Sequence, residues 1–372
     1  MNEGRWREGA RLALRLAAAA IAWTGLFAAA GSAGVAGELL DPLQREALLT
    51  PRANAAVLLG VTQAGSRLVA VGERGIVLLS DDAGRTWRQT AVPTSVTLTA
   101  VSFVTPSLGW AIGHSGVVLS TSDGGATWKR VLDGASAAKL TLEAAQALAA
   151  EGAASGAVRS AERLVADGTD KPFLAMHFFD ARRGIVVGAF GLILATEDGG
   201  GTWRSWGERV DNPKGLHFNA VAAKGNTIII AGEQGLLLRS TDGGQSFERL
   251  QSPYTGSWFA AMVLPDDGIV IAGLRGHAFR SDDMGATFQR IEVAQPVTLT
   301  SLCRLRDGRL IALNQAGQVL INRDRGARFD VLALPPGAPL TQVVELADGR
   351  WLASSLRGTR LLPSVPSART SS

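Results

Sequence analysis

Six copies of one eight-residue pattern run through this chain at a near-constant interval, and few folds accommodate that. The copies are SDDAGRTW (80–87), TSDGGATW (121–128), TEDGGGTW (196–203), STDGGQSF (240–247), SDDMGATF (281–288) and NRDRGARF (322–329). They share S/T-x-D-x-G-x-T-W/F, with Asn322 and Arg328 as departures in the last copy. The closing aromatics Trp87, Trp128, Trp203, Phe247, Phe288 and Phe329 are 41, 75, 44, 41 and 41 residues apart. Each copy follows an apolar run and a second turn: GERG (72–75), GHSG (113–116), GAFG (188–191), GEQG (232–235), GLRG (273–276) and NQAG (314–317). Upstream lies another alternating run, such as LTAVSFV (98–104) or LTSLCRL (299–305). One period therefore reads as four short strands joined by tight turns. Units of about forty residues repeated radially predict an all-β fold, the β-propeller.

A partial seventh copy follows the sixth. DGRW (348–351) lies 41 residues after DGRL (307–310), and SLRG (355–358) lies 41 after NQAG. PSVPSARTSS (363–372) carries no further pattern. Counting one period back from Trp87 lands in EALLT (46–50), so an N-terminal strand there is expected to complete the seventh blade and close the ring. Closure removes an unpaired edge that would otherwise invite aggregation. The expected architecture is thus a seven-bladed β-propeller over residues 38–365, with a flexible tail at 366–372.

Composition narrows the class further. A chain of 372 residues that is 46% hydrophobic and 19% charged is globular. A single cysteine excludes an internal disulfide framework and a cysteine-based zinc site. The formal charge of +4 is concentrated at the front, where Arg5, Arg7, Arg11 and Arg15 face only Glu3 and Glu8. The remainder is nearly neutral, which gives no electrostatic case for nucleic acid. The basic stretch RWREGARLALR, the uncharged run Leu16–Ala30 and the small residues of AGVAGE (33–38) read as a signal peptide over 1–37. A periplasmic protein is expected, with a retained membrane anchor as the alternative.

The long interval between the second and third patterns holds 34 extra residues, within about 133–170. That segment is rich in Ala, Glu and Leu. Leu140, Ala144, Ala147, Leu148 and Glu151 fall at helical spacing, and Ala157, Ala161, Leu164 and Val165 fall on a second face. A helical hairpin broken at Gly152–Gly156 is expected there, either as surface decoration or as a docking element.

The repeated segment resembles the Asp-box of sialidase-type propellers. Its carboxylate and its Ser or Thr hydroxyl are suited to accept backbone N–H bonds across the turn. Asp82, Asp123, Asp198, Asp242, Asp283 and Asp324 are therefore read as structural, because identical acids in every repeat suit a fold device better than one site. The G-x-x-G turns are expected to ring one mouth of the central channel. Their middle positions include Arg74, His114, Arg275 and Arg357, the candidate partner-binding residues, since arginine suits acidic surfaces. His114, His177, His217 and His277 show no metal-ligand spacing, so neither a metal nor a cofactor is expected. Cys303 aligns with Met262 and Val344 and reads as a buried hydrophobe. Trp110, Trp206, Trp258 and Trp351 are either packed or part of a sugar-binding surface. A glycoside hydrolase of the sialidase type would need an arginine triad, a nucleophilic tyrosine and paired carboxylates. Only Tyr254 is available, and Glu73 and Glu233 belong to blades that lie nearly opposite.

The signal segment, the blades and the paired turns, as in VAVGERGIVLLSDDAGRTW (69–87) and WAIGHSGVVLSTSDGGATW (110–128), resemble the photosystem II stability/assembly factor family over roughly residues 45–362. The resemblance implies a non-enzymatic lumenal or periplasmic factor that binds a membrane-protein complex or its subunits during assembly. It also implies arginine-rich contact surfaces, for which Arg74, Arg275 and Arg357 are the counterparts here. In non-photosynthetic relatives it implies association with RND-type export systems. A monomer that does not bind nucleic acid is expected, and the alternatives are a glycosidase or a glycan-binding periplasmic propeller.

Overall fold

The computed structural model describes residues 41–152, 156–322 and 327–363. The proposed signal (1–37), the tail (366–372) and Asp324 lie outside these residues.

Each repeat folds as an antiparallel sheet whose strands follow chain order. Sheet 1 holds β1 (Leu58–Ala64), β2 (Arg67–Gly72), β3 (Val77–Ser80) and β4 (Arg88–Thr90). Sheet 2 holds β5 (Leu98–Phe103), β6 (Gly109–Gly113), β7 (Val118–Thr121) and β8 (Lys129–Leu132). Two helices follow, α1 (Gly134–Ala150) and α2 (Gly156–Ala166). Sheet 3 holds β9 (Phe173–Phe178), β10 (Gly184–Gly188), β11 (Ile193–Thr196) and β12 (Arg204–Ser205). Sheet 4 holds β13 (Phe218–Lys224), β14 (Thr227–Gly232), β15 (Leu237–Ser240) and β16 (Glu248–Arg249). Sheet 5 holds β17 (Trp258–Val263), β18 (Ile269–Gly273), β19 (Ala278–Ser281) and β20 (Gln289–Val293). Sheet 6 holds β21 (Leu299–Arg304), β22 (Leu310–Asn314), β23 (Val319–Asn322) and β24 (Arg328–Val331). Among the described residues sheet 7 has three strands, β25 (Leu340–Glu345), β26 (Trp351–Ser355) and β27 (Gly358–Leu362).

The first strand of each sheet packs against the first strand of the next, and β25 packs against β1, so the inner strands close a ring. Second strands such as GIVVG (β10) and IVIAG (β18) are buried along their whole length. A strand covered by a neighbouring sheet on both faces reads as an unbroken apolar run, without the alternation of a half-solvated one. First strands face the axis and are only partly buried. In all seven the register slips by one at the second residue, as between Leu98 and Ala100 or Leu340 and Gln342. This bulge frees the second side chain to reach sideways. Thr99 Oγ1 donates to Phe173 O at 2.8 Å, Asn219 Nδ2 to Trp258 O at 2.9 Å, and Thr341 Oγ1 to Leu58 O at 2.8 Å. Each of these bonds crosses to the following sheet. The last crosses from sheet 7 to sheet 1, where Val61 N–H to Gln342 Oε1 (3.1 Å) and Gln63 Nε2 to Glu345 O (2.8 Å) join it.

Sheets 5 and 6 have a second junction at the outside of the ring. Strands β20 and β24 pair in parallel, Glu292 with Arg328 and Val293 with Phe329, which makes one eight-stranded sheet. Nothing in the period of the sequence signals this pairing.

The expected strand at 46–50 is not formed. Ala47 N–H instead donates to Val92 O, and Thr50 N–H to the Gln89 side chain, so the segment lies along the outer strand of sheet 1. Ala47 is buried beside the GERG turn, while Leu48 and Leu49 are exposed. The period places this segment at the right distance along the chain but leaves open which sheet it joins. Among the described residues one backbone bond, from Gly358 N–H to Ala56 O at 2.8 Å, ties the N-terminal segment to β27.

Helix α1 also packs on a different face from the one the spacing predicts, whereas α2 buries two of its four expected residues. Helix α1 buries Ala137, Ala138 and Ala145, with Leu140 half-buried and Ala147 exposed. Helix α2 buries Ala161 and Leu164 but exposes Ala157 and Val165. Asp133 caps α1 by accepting Ser136 N–H at 2.9 Å. The helix lies over β12, the two-residue outer strand of sheet 3.

Candidate functional site

The ring has two chemically different ends. At one end sit the G-x-x-G turns between second and third strands. In five of them the residue before the last glycine is left-handed: Arg74, Ser115, Phe190, Gln234 and Arg275 have φ between 51° and 57°. The glycines are dictated by close approach. A Cβ on Gly72 would lie 2.0 Å from Val57 O, and one on Gly75 would lie 2.2 Å from Thr94 O. Val57 leads into β1, and Thr94 belongs to the connection that crosses to sheet 2. The turns therefore sit on the face where the chain passes from sheet to sheet, pinned from below, with their middle side chains outward. Arg74, His114, Arg275 and Arg357 are all exposed there. Among the described residues no hydrogen bond or ion pair holds the side chain of any of the four. The backbone N–H groups of Arg275 and Arg357 are held, by Thr298 Oγ1 and Ser355 Oγ.

Two apolar side chains share these turns. Phe190 is 53% exposed and Leu356 is 43% exposed. Phe190 meets His217 edge-on at 4.9 Å, and Lys171 Nζ lies 5.9 Å from its ring. Sequence reasoning missed both residues, although each occupies a middle position of a turn it had singled out. The carboxylates of these turns serve their own sheets. Glu73 Oε1 accepts Val57 N–H and Glu233 Oε2 accepts His217 N–H, each at 2.9 Å.

At the other end lie the repeated Asp segments. Asp198 is representative: Oδ1 accepts Thr196 Oγ1 (2.9 Å) and Thr202 N–H (2.8 Å), and Oδ2 accepts Thr202 Oγ1 (2.8 Å). Thr196 Oγ1 in turn accepts Gly200 N–H at 2.8 Å. Asp82, Asp123, Asp242 and Asp283 repeat this arrangement with their own Ser and Thr neighbours. The bonds favour the ionised form. The Thr86 hydroxyl draws Asp82 down to about 2, the Thr202 N–H draws Asp198 to about 2, and the Thr287 hydroxyl draws Asp283 to about 2. The Ser246 hydroxyl draws Asp242 lower still. For Asp123 the cost of burial is outweighed by the Thr127 and Thr121 bonds, and the carboxyl is again lowered. In the sixth segment Asn322 stands at the hydroxyl position and donates to Arg328 O at 2.6 Å.

Five arginines at this end are matched with carboxylates. Arg67 meets Asp81 at 2.6 Å, Arg183 meets Asp180 at 2.8 Å, and Arg280 meets Asp266 and Asp282 at 3.1 and 2.6 Å. Arg309 meets Asp307 at 2.7 Å, and Arg350 meets Asp348 at 2.6 Å.

Between the two ends runs an axial cavity of about 380 Å³. Its polar lining includes Thr62, Ser102, Asn219, Thr300 and Gln342, and no ionisable side chain lines it. Among the described residues no three His, Cys, Asp or Glu converge as metal ligands would. Cys303 is packed in β21, where burial pushes its thiol up to about 11. Trp110, Trp206, Trp258 and Trp351 are buried and present no sugar-binding surface. Tyr254 stacks on His277 at 3.8 Å with the rings nearly parallel.

Comparison with known proteins adds the family. The model for the photosynthesis system II assembly factor YCF48 matches residues 79–159 and 153–329. Photosystem II assembly lipoprotein Ycf48 from Synechococcus sp. (strain CC9902) is 35% identical over 77 residues, which is 21% of this chain and 23% of that protein. The chain thus aligns with about a quarter of the length of this relative. Among solved structures, YCF48 bound to D1 peptide has a TM-score of 0.62 at 14% identity, covering 87% of this chain and 97% of that one. YCF48 from Cyanidioschyzon merolae has a TM-score of 0.63 at 17% identity, covering 86% and 98%. The WD40 β-propeller domain of Doa1 has a TM-score of 0.60 at 12% identity, covering 86% and 96%. At such identities these structures show a shared propeller fold.

Proposed function

Because this chain belongs to the photosystem II assembly factor YCF48 family, we propose that it is a non-catalytic exported propeller that docks on a membrane-protein complex, or on its subunits, during assembly. In this reading the seven sheets are seven blades spanning residues 38–365, and residues 1–37 direct the chain to the periplasm. Asp82, Asp123, Asp198, Asp242, Asp283 and Asp324 hold turns. The chain works as a monomer.

One observation carries the docking role, namely three exposed arginines on the turn face that no carboxylate pairs among the described residues. At the Asp-segment end Arg67, Arg183, Arg280, Arg309 and Arg350 are already neutralised by neighbouring carboxylates. Arg74, Arg275 and Arg357 on the turn face are exposed cations with no counter-ion among the described residues. A guanidinium in that state gives up no internal partner when it binds a carboxylate, and its fork geometry favours a bidentate contact. His114 adds a donor on the same face, and Phe190 and Leu356 add apolar surface among the cations. Hydrolysis has less support, since Glu73 and Glu233 are each committed to a backbone N–H of their own sheet. A solved relative described as bound to a D1 peptide favours a polypeptide as the partner.

The test is cross-linking of the tagged chain in its native host, followed by mass spectrometry. Capture of one membrane complex, lost in the combined Arg74→Ala, Arg275→Ala and Arg357→Ala variant, is expected. A triple variant that captures the same complex as efficiently would refute the docking face. Its identity, a photosystem or an RND-type exporter, is read from the same experiment.

A further inference from the structure

Among the described residues sheet 7 has three strands where every other sheet has four, and the residue on its outer strand is unusual. The third strand pairs with the middle of the second at a fixed register. In sheets 1 to 6 the third-strand residue at that register is Leu78, Leu119, Leu194, Leu238, Phe279 and Leu320. All six are buried. In sheet 7 the same register, opposite Ala353, holds Arg360. Its side chain makes a hydrogen bond to Pro335 O at 2.9 Å, and among the described residues no carboxylate pairs with it. The next residue, Leu361, is 40% exposed, whereas its counterpart Leu79 is 1% exposed. Among the described residues the outer side of β27 carries a single backbone bond, from Gly358 N–H to Ala56 O.

We propose that the outer edge of β27 is a strand-addition site for an extended acidic segment of a partner protein, which sets a carboxylate opposite Arg360. The other sheets show what such a strand does. Fourth strands place Gln89, Arg130, Ser205, Arg249, Arg290 or Val331 opposite the buried residue at this register. An arginine there would meet Arg360 with like charge, while Asp or Glu would complete an opposite-charge cross-strand pair. Backbone bonds to the edge supply affinity, and the single charged register supplies selectivity. The same charge disfavours a second copy, because two β27 strands laid antiparallel about this residue would oppose Arg360 to Arg360. Residues 363–372 contain neither the Asp and Gly of the repeated turn nor its aromatic. This site is separate from the arginines of the turn ring except at its mouth, where Arg357 adjoins β27, and it stands whether or not that ring docks a membrane complex.

The probes are two fluorescent peptides copying residues 286–293 (ATFQRIEV), the segment that ends in β20, one unchanged and one with Arg290→Glu. Titrated with the full chain, the Arg290→Glu peptide is expected to bind about five-fold tighter, the scale of an attractive cross-strand charge pair set against a repulsive one. The Arg360→Glu variant is expected to reverse the preference, and Arg360→Gln to abolish it. Equal binding of both peptides, no binding of either at millimolar concentration, or a preference unchanged in Arg360→Glu would overturn the proposal. Binding seen only after removal of residues 364–372 would assign the edge to the chain's own C-terminal segment and overturn it equally.

Discussion

Asp198 illustrates how much a single side chain does in a turn that has almost no core of its own. It receives two hydroxyl bonds and one backbone bond within seven residues of chain, and Thr196 holds the glycine amide that follows. Replacing it with Ala removes these acceptors at an exposed turn, so we expect a melting temperature lower by about 2 °C with partner capture unchanged. Loss of capture without loss of stability would show that the residue belongs to a binding site instead. The same carboxylates set the acid limit. The carboxyls of Asp82, Asp198 and Asp283 lie at about 2 in the folded chain against an ordinary 3.8. Their contribution is therefore complete above pH 4 and is lost as pH falls toward 2. A thermal-melt series across that window should show stability declining on acidification there, and a flat profile would contradict it. At this scale the sequence was readable because each turn repeats the same side-chain chemistry within eight residues. Phe190 and Leu356 were not readable, since exposure of an apolar residue depends on what the neighbouring sheets cover.

Among the elements, the helical insertion shows where periodicity loses its power. Helix α1 is read most naturally with Leu140, Ala144, Ala147 and Leu148 as its buried face, yet it packs through Ala137, Ala138 and Ala145. In an alanine-rich helix most faces are apolar, and the phase is decided by which side lets the backbone approach closest. Ala137 is fully buried. Ala137→Leu should push the helix off sheet 3 at a cost of about 1–3 kcal/mol, measurable by chemical denaturation. Leu at the exposed Ala147 should be silent. The strands were easier to read, because second strands buried on both faces can only be continuous apolar runs, and those stand out between paired glycines. The bulge in every first strand left no mark that sequence reasoning used. Its signature is a side chain able to cross between sheets, such as Thr99, Asn219 or Thr341, at the second position.

For the molecule as a whole, the repeat interval foretold a ring and its order, but not how the ring is fastened. Among the described residues the seam between sheets 7 and 1 is bridged by three side-chain bonds, through Thr341, Gln342 and Gln63. Gln342→Ala strands the N–H of Val61, a fully buried residue, and should cost about 1–3 kcal/mol. Thr341→Val keeps the shape and loses one bond, and should cost about 1 kcal/mol. Denaturation midpoints that do not move for either variant would show that the seam is held by apolar packing alone. The segment expected to fasten this seam, residues 46–50, lies on the far side of sheet 1 instead. Interval arithmetic locates a residue along the chain, whereas the choice of sheet edge depends on which side chain fits under a turn, here Ala47 beside Gly75.

The parallel pairing of β20 with β24 has a mechanical consequence. Backbone bonds weld sheets 5 and 6 along their outer rim, two junctions along the ring from the one that closes it between sheets 7 and 1. A ring with a weld at one junction and a clasp at another opens like a bracelet. Under load or during local melting the clasp parts first and the welded pair moves as one rigid plate. An unfolding path that begins at the clasp separates sheet 7 from sheet 1 while sheets 5 and 6 stay joined.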